Sequence, residues 1–248
     1  MQQNEKTVRQ KVAVVIGAGD STGGAIAKRF AREGYTVVPT RRTQESLTPL
    51  VEEIEQSGGK ALGLGCDARD EESMSALFSR IEAEVGDIEV VVFNIGANVR
   101  FAITETSARV YRKVWEMAAF AGFLAGREAA RVMLPRARGT IIFTGATASL
   151  RGGSGFAAFS GAKFALRALA QSMARELGPQ GIHVAHAVID GAIDTAFIRE
   201  NFPDRYALKE QGGILNPNHI AEQYWQLHMQ PRDSWTHELD LRPWLETF

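Results

Sequence analysis

One cysteine, Cys66, stands in 248 residues, so no disulfide can close within the chain, and its thiol content suits a reducing compartment. Charge of either sign is also missing as a surplus: 28 Lys and Arg face 29 Asp and Glu, for a net charge of -1. That balance gives no global field to hold nucleic acid or an anionic membrane, and any anion site must be local. No long apolar run occurs, and the opening MQQNEKTVRQK is polar, so neither a signal peptide nor a membrane span is predicted. A soluble, cytoplasmic protein is expected. The five histidines, His183, His186, His219, His228 and His237, form no metal-ligand cluster. His183 and His186 fall on one predicted strand, where packing is the expected role, and metal catalysis is not expected.

The chain does hold 45% hydrophobic residues, enough for a sizeable core, arranged as short β-branched runs alternating with amphipathic stretches. This is the pattern of βαβ units. It predicts an α/β class: a single domain over 1–248, a Rossmann fold with a doubly wound, mostly parallel, seven-stranded sheet and helices on both faces. The predicted strands are Val12 to Ile16, Thr36 to Thr40, Lys60 to Cys66, Ile88 to Asn94, Gly139 to Thr144 and Ile182 to Ile189, with Trp235 to Arg242 as a half-buried edge. Two long helices are predicted, from about Ser107 to Met133 and from about Ala158 to Leu177, the latter stopped by Gly178 and Pro179. Between Phe197 and Pro231, Pro203, Gly212, Gly213, Pro217 and Pro231 break the alternation, and residues 197–231 read as a substrate cap within the domain.

The first strand runs into Gly17-Ala18-Gly19-Asp20-Ser21-Thr22-Gly23-Gly24 and then into a helix. A pyrophosphate must sit against backbone N–H groups at a helix N-terminus, and β-carbons there would block its approach, which explains the glycines. A tight structural turn is the plain alternative for such a cluster, and the strand before and helix after favour nucleotide binding. After the second strand stand Arg41 and Arg42, where an NAD-selective site would place a carboxylate for the ribose hydroxyls. Two guanidiniums there match a 2′-phosphate, so NADP(H) is the expected coenzyme, against the plain reading of solvated charge at a strand end.

With later segments, these residues make the chain resemble the short-chain dehydrogenase/reductase family over roughly its whole length. Gly17, Ser21 and Gly23 fall on the family's G-x-x-x-G-x-G loop, with Ser21 at the middle glycine; Cys66-Asp67-Ala68 falls on its adenine-contacting pair. Asn94-Ile95-Gly96-Ala97 falls on its N-x-A-G segment, and Lys163 on the lysine of its Y-x-x-x-K signature. Asp190 through Thr195 resembles the P-G-x-x-x-T turn that holds the nicotinamide amide. The resemblance therefore implies a coenzyme site made of Gly17, Gly19, Ser21, Thr22, Gly23, Arg41, Arg42, Asp67, Ala68, Asn94, Gly96, Lys163, Gly191, Ile193 and Thr195.

The family's working group is Asn, Ser, Tyr and Lys, and the same spacings here give Ala118, Ala146 and Phe159, with only Lys163 kept. Lys163 is thus the one catalytic residue the resemblance carries over. Phe159 can neither donate nor accept a proton, and losing such a group typically costs about 10²- to 10⁴-fold. Thr147, Ser149, Ser160 and Tyr206 are the candidate replacement protic groups, each with a plain structural role as the stronger reading. Tyr111 reads as core packing, Asp190 as turn chemistry or a base, and Arg100 as solvated or as a contact for an acidic substrate. The aromatic run Tyr224, Trp225, Trp235, Trp244 and Phe248 suggests subunit contact, and the resemblance implies a homodimer or homotetramer. Two functions follow. One is an NADP(H)-dependent oxidoreductase acting on a small organic substrate through an atypical site; the other is a catalytically silent NADP(H)-binding sensor or partner subunit.

Overall fold

The computed structural model describes residues 9–247; residues 1–8 and Phe248, parts of the polar start and of the aromatic run, lie outside them. The chain alternates strand and helix as β1 Lys11–Ile16, α1 Thr22–Arg32, β2 Thr36–Arg41, α2 Thr48–Gln56, β3 Lys60–Ala61, β4 Leu64–Gly65, α3 Glu71–Glu84 and β5 Asp87–Phe93. It continues with α4 Ala108–Trp115, α5 Ala121–Met133, β6 Gly139–Thr144, α6 Ala157–Leu177, β7 Ile182–Ile189, α7 Ala196–Asn201, α8 Pro203–Tyr206, α9 Pro217–Met229 and β8 Glu238–Leu241.

The strands form one sheet in the order β3-β2-β1-β5-β6-β7-β8, with β4 also on β2. Every pairing between these strands is parallel. The third predicted strand, Lys60 to Cys66, is broken into β3 and β4, which pair with β2 at Thr36↔Lys60 and Thr40↔Leu64. Gly63 lies in the break, and a β-carbon on it would stand 3.1 Å from that of Leu47, so the strand skirts the turn before α2. Parallel strands need crossovers, and the crossovers coat both faces. On one face Met74, Phe78 and Ile81 of α3, Leu124 and Met133 of α5 and Leu166 of α6 pack on Val91 and Phe143. On the other, Ile26 and Phe30 of α1 and Ile220, Tyr224 and Leu227 of α9 pack on Val15, Val37 and Val90.

Sequence reversal between β1 and β5, with β2 on one side and β5 on the other, creates a crevice at the carboxyl ends of these strands, where open α/β sheets bind ligands. The predicted helix over Ser107–Met133 is one rod with a π-helical turn over Glu116–Phe120 joining α4 to α5. Ser107 caps it, its Oγ accepting from Val110 N at 3.2 Å. Residues 197–231 divide in two. The part from α7 to Gln211 lies outside the core in short helical pieces, whereas α9 is a core-layer helix, because Ile220, Ala221, Tyr224 and Leu227 repeat at helical spacing and all are buried.

Much of the aromatic run folds back on its own chain. Tyr224 is fully buried, Trp225 packs edge-on against Phe30 with ring centroids 5.4 Å apart, and Trp235 stacks on His183 at 4.9 Å. Trp244 is 77% exposed, with its Nε1 donating to Gln211 O at 2.9 Å. Exposed large apolar side chains occur also along α4, α5 and α6, at Tyr111, Trp115, Phe123 and Phe164. Tyr111 is accordingly surface-exposed rather than core, its hydroxyl lying over Gly161, where an added β-carbon would come within 2.7 Å. No helix among the described residues is long and apolar enough to cross a membrane.

Candidate active site

Where β1 ends, the chain must turn tightly enough to begin α1 within a few residues. Gly17 takes φ +90°, a left-handed conformation that glycine tolerates, and the amides of Gly17 and Ala18 both donate to Thr40 O at 3.1 Å. Gly23 is fixed by contact: a β-carbon on it would lie 2.5 Å from Gly17 O and 2.8 Å from Ala18 Cα, both backbone atoms that cannot swing away. Gly19 and Gly96 differ, because no atom lies within 4 Å of an added β-carbon on either. Protein packing therefore gives no reason for glycine at those two positions. Thr22 begins α1, buried, and the first turn carries no acidic residue to occupy its positive end. Ser21 Oγ is buried and has no hydrogen-bond partner among the described residues. The helix N-terminus and the unsatisfied hydroxyl together make an anion cradle.

The flank of this cradle is cationic. Arg41 Nη1 reaches Asp20 Oδ1 at 3.4 Å across the loop, and Arg42 beside it is exposed. Asp67 holds Arg69 through bonds of 2.9 and 2.6 Å, and that arginine, opposed by partial burial, keeps its carboxyl below the usual aspartate range. Ala68 is buried beside it. The Asn94 side chain donates to Gly17 O at 3.1 Å, so its amide buttresses the loop from β5.

Lys163 is carried on α6 beneath the ends of β5 and β6. Its ammonium donates to Thr144 O at 2.8 Å and Ile95 O at 3.1 Å, tying the two strand ends together, and its side chain is fully buried. Burial pushes its pKa down to about 8. The Phe159 ring centroid stands 5.9 Å from Nζ. Around it, Ala118 and Phe159 join Val114, Ala119, Ala148, Ala158 and Ala162 in a buried apolar cluster, with Ala146 packed against it. Ala118, Ala146 and Phe159 thus lie together in hydrocarbon, and Ala118 lies within the π-helical turn.

Past the end of β7, Asp190 is fully buried and accepts from Thr147 Oγ1 at 2.5 Å. Arg151 approaches its other oxygen at 3.3 Å and Arg242 at 3.4 Å. Neither arginine carried any sequence signal, since their meeting depends on β7, β8 and the turn after β6 converging. Gly191 lets the chain pass Pro243, whose Cδ would stand 2.6 Å from an added β-carbon; Ile193 bridges to Leu215, and Thr195 Oγ1 caps α7 by accepting from Ile198 N at 3.1 Å. Tyr206 lies beyond α7, its hydroxyl 3.4 Å from Lys209 Nζ, and Lys209 pairs with Asp194 at 2.8 Å. Ser149 Oγ accepts from Ala146 N at 3.1 Å, while Ser160 Oγ is buried without a partner among the described residues. Arg100 lies over the Phe156 ring at 5.8 Å. His183 and His186 pack as expected: His183 faces Thr236 O at 2.9 Å and His186 Nδ1 faces Glu238 at 2.9 Å. Burial lowers the His186 pKa to about 4. No group of three or more metal-ligating side chains occurs among the described residues.

Comparison with known proteins places this geometry. A family model described as short chain dehydrogenase matches residues 11–205. The chain is 51% identical to a short-chain dehydrogenase from Rhodopseudomonas palustris, over 95% of this chain and 99% of that one, with a TM-score of 0.81. It is 27% identical to a metagenomic short-chain oxidoreductase solved in complex with NADP, over 95% and 98% of the two chains, with a TM-score of 0.80. It is 30% identical over 221 residues to a cis-4-hydroxycyclohexanecarboxylate dehydrogenase from Sinomonas cyclohexanicum, covering 86% of this chain and 87% of that one.

Proposed function

The chain belongs to the short-chain dehydrogenase family, and from that premise we propose that it binds NADP(H) and moves hydride between this coenzyme and a small organic molecule, through a site that lacks the family's tyrosine. The coenzyme reading is carried by the cradle at Gly17–Gly24, where Gly23 has no room for a β-carbon, Gly19 has open space above it, and Ser21 Oγ is buried unsatisfied. The NADP-bound relative supports the same choice. Gly17, Gly19, Ser21, Thr22 and Gly23 would hold the diphosphate, and Arg41 and Arg42 the 2′-phosphate. Asp67 and Ala68 would face the adenine, Asn94 and Gly96 the adjoining ribose, and Gly191, Ile193 and Thr195 the nicotinamide amide. Bound there, the coenzyme supplies or accepts the hydride.

The protein's own part is to orient and to exclude water. Lys163 holds the β5 and β6 ends in register, and the apolar corner around Phe159 forms a dry wall against which a substrate packs. The short helices from α7 to Gln211 would cover it as the substrate cap. Dimers or tetramers would form through the exposed aromatic face of α4, α5 and α6.

Calorimetry with NADPH and NADH tests the coenzyme: tighter binding of NADPH is expected, and no heat from either at millimolar concentration overturns the reading. A screen of carbonyls, quinones, imines and activated alkenes, followed by loss of NADPH, tests turnover. The hydrocarbon packing of Ala118, Ala146 and Phe159 favours a second reading, the silent NADP(H) sensor or partner subunit. Tight coenzyme binding with a blank screen decides for it.

A further inference from the structure

Three substitutions strip the corner of protic side chains, yet one buried polar cluster remains at the ends of β6 and β7. Thr147, next after Ala146, donates to Asp190 Oδ1 at 2.5 Å, shorter than the usual hydroxyl–oxygen bond. Asp190 is fully buried and faces two guanidiniums, Arg151 at 3.3 Å and Arg242 at 3.4 Å, the latter also paired with Asp240. Thr147 itself is half-buried. The other protic groups nearby are engaged or walled off. Ser149 is fully buried and accepts from Ala146 N, Ser160 is buried in α6, Lys163 donates to two carbonyls with its Nζ 5.9 Å from the Phe159 ring centroid, and Tyr206 is held beside Lys209.

We propose that Thr147 is the proton acceptor of this site in the oxidation of a secondary alcohol, with Asp190 as the positioning residue that draws off its proton; this rests on the NADP(H) reading above. The direction follows from the hydrogen bond. Because the Thr147 proton is committed to Asp190, what Oγ1 offers to a ligand is a lone pair, the polarity of a base. The alcohol O–H bond breaks and its proton moves to Thr147 Oγ1, as the Thr147 proton moves to Asp190 Oδ1. The C–H bond at the same carbon breaks with its electron pair, which leaves as hydride to NADP⁺, and the C=O bond forms. The alcohol loses two electrons, NADP⁺ gains them, and one proton remains on Asp190. Arg151, 42% exposed, lies between Asp190 and solvent and marks the route by which water takes that proton away.

The test uses the full chain with NADP⁺ and a panel of cyclic and linear secondary alcohols, following the appearance of reduced nicotinamide. The unaltered protein is expected to oxidise members of the panel, with a solvent deuterium isotope effect. Thr147→Val should lower kcat by about 10²- to 10⁴-fold with calorimetric NADP⁺ affinity unchanged, and Thr147→Ser should recover it to within about tenfold. Asp190→Asn should lower kcat and diminish the solvent deuterium isotope effect with calorimetric NADP⁺ affinity unchanged. A far-downfield hydroxyl proton resonance, absent from Thr147→Val, reads the short bond independently of turnover and of whether Asp190→Asn folds. Full turnover by Thr147→Val overturns the proposal. So does a blank alcohol panel alongside normal NADP⁺ binding, which leaves the coenzyme reading standing; absence of binding removes both.

Discussion

The two ends of the cleft are built on opposite principles. At the Gly17–Gly24 end, Gly23 has no room for a β-carbon, Gly19 has open space above it, and the buried Ser21 hydroxyl has no partner among the described residues. At the Phe159 end, the backbone is covered and Ala118, Ala146 and Phe159 have merged into hydrocarbon. One end is shaped by open space and an unpartnered hydroxyl, the other by close apolar packing. The π-helical turn at Glu116–Phe120 carries Ala118 into that apolar end.

The largest effect is expected from reversing the second end. Ala118→Asn, Ala146→Ser and Phe159→Tyr together should raise NADPH-dependent carbonyl reduction by about 10²- to 10⁴-fold, measured as NADPH consumption. No gain would mean that the two ends differ in more than these three side chains. Breaking the first end comes next. Gly23→Val forces a β-carbon against Gly17 O and Ala18 Cα, and the loop displacement should cost about 3 kcal/mol, roughly a hundredfold in coenzyme affinity by calorimetry. The Arg41→Ala, Arg42→Ala pair should weaken NADPH by about tenfold to a hundredfold while leaving NADH nearly unaffected, since only the former carries the 2′-phosphate.

The smallest effect concerns Lys163, where the ends meet. Folded, it releases its proton at about pH 8, against an ordinary value of 10.5. Between those values the unfolded chain binds the extra proton, so stability should rise with pH across that window, and the burial cost is fully present below it. The rise is read by denaturant unfolding at pH values spanning that window. Lys163→Met should abolish the rise; a slope unchanged in that variant assigns it to other groups.

Elements whose identity depends on local pattern were legible in the sequence. Val12 to Ile16 and Ile182 to Ile189 read as buried strands because every position is apolar or packs as such, and the helix from Ala157 to Leu177 follows its spacing. The glycine loop was legible for the same reason, since strand, turn and helix are adjacent in the chain. The break between β3 and β4 was not, because it answers to Leu47, a residue distant in sequence from Gly63. Prolines around α9 suggested a cap over all of 197–231, while the apolar repeat within it decided that Pro217–Met229 joins the core. Trp225 and Trp235 looked like a subunit face until Phe30 and His183 were found beneath them.

By itself, the sequence determined the alternation of strand and helix and the glycine turn at Gly17–Gly24, because each is a property of neighbouring residues. Only the tertiary structure decided that Thr147 meets Asp190, that Arg151 and Arg242 close around them, and that Lys163 bridges two strand ends. Those contacts join residues from 19 to 68 positions apart, and a hydrogen bond is set by where the sheet brings the atoms and not by their order along the chain.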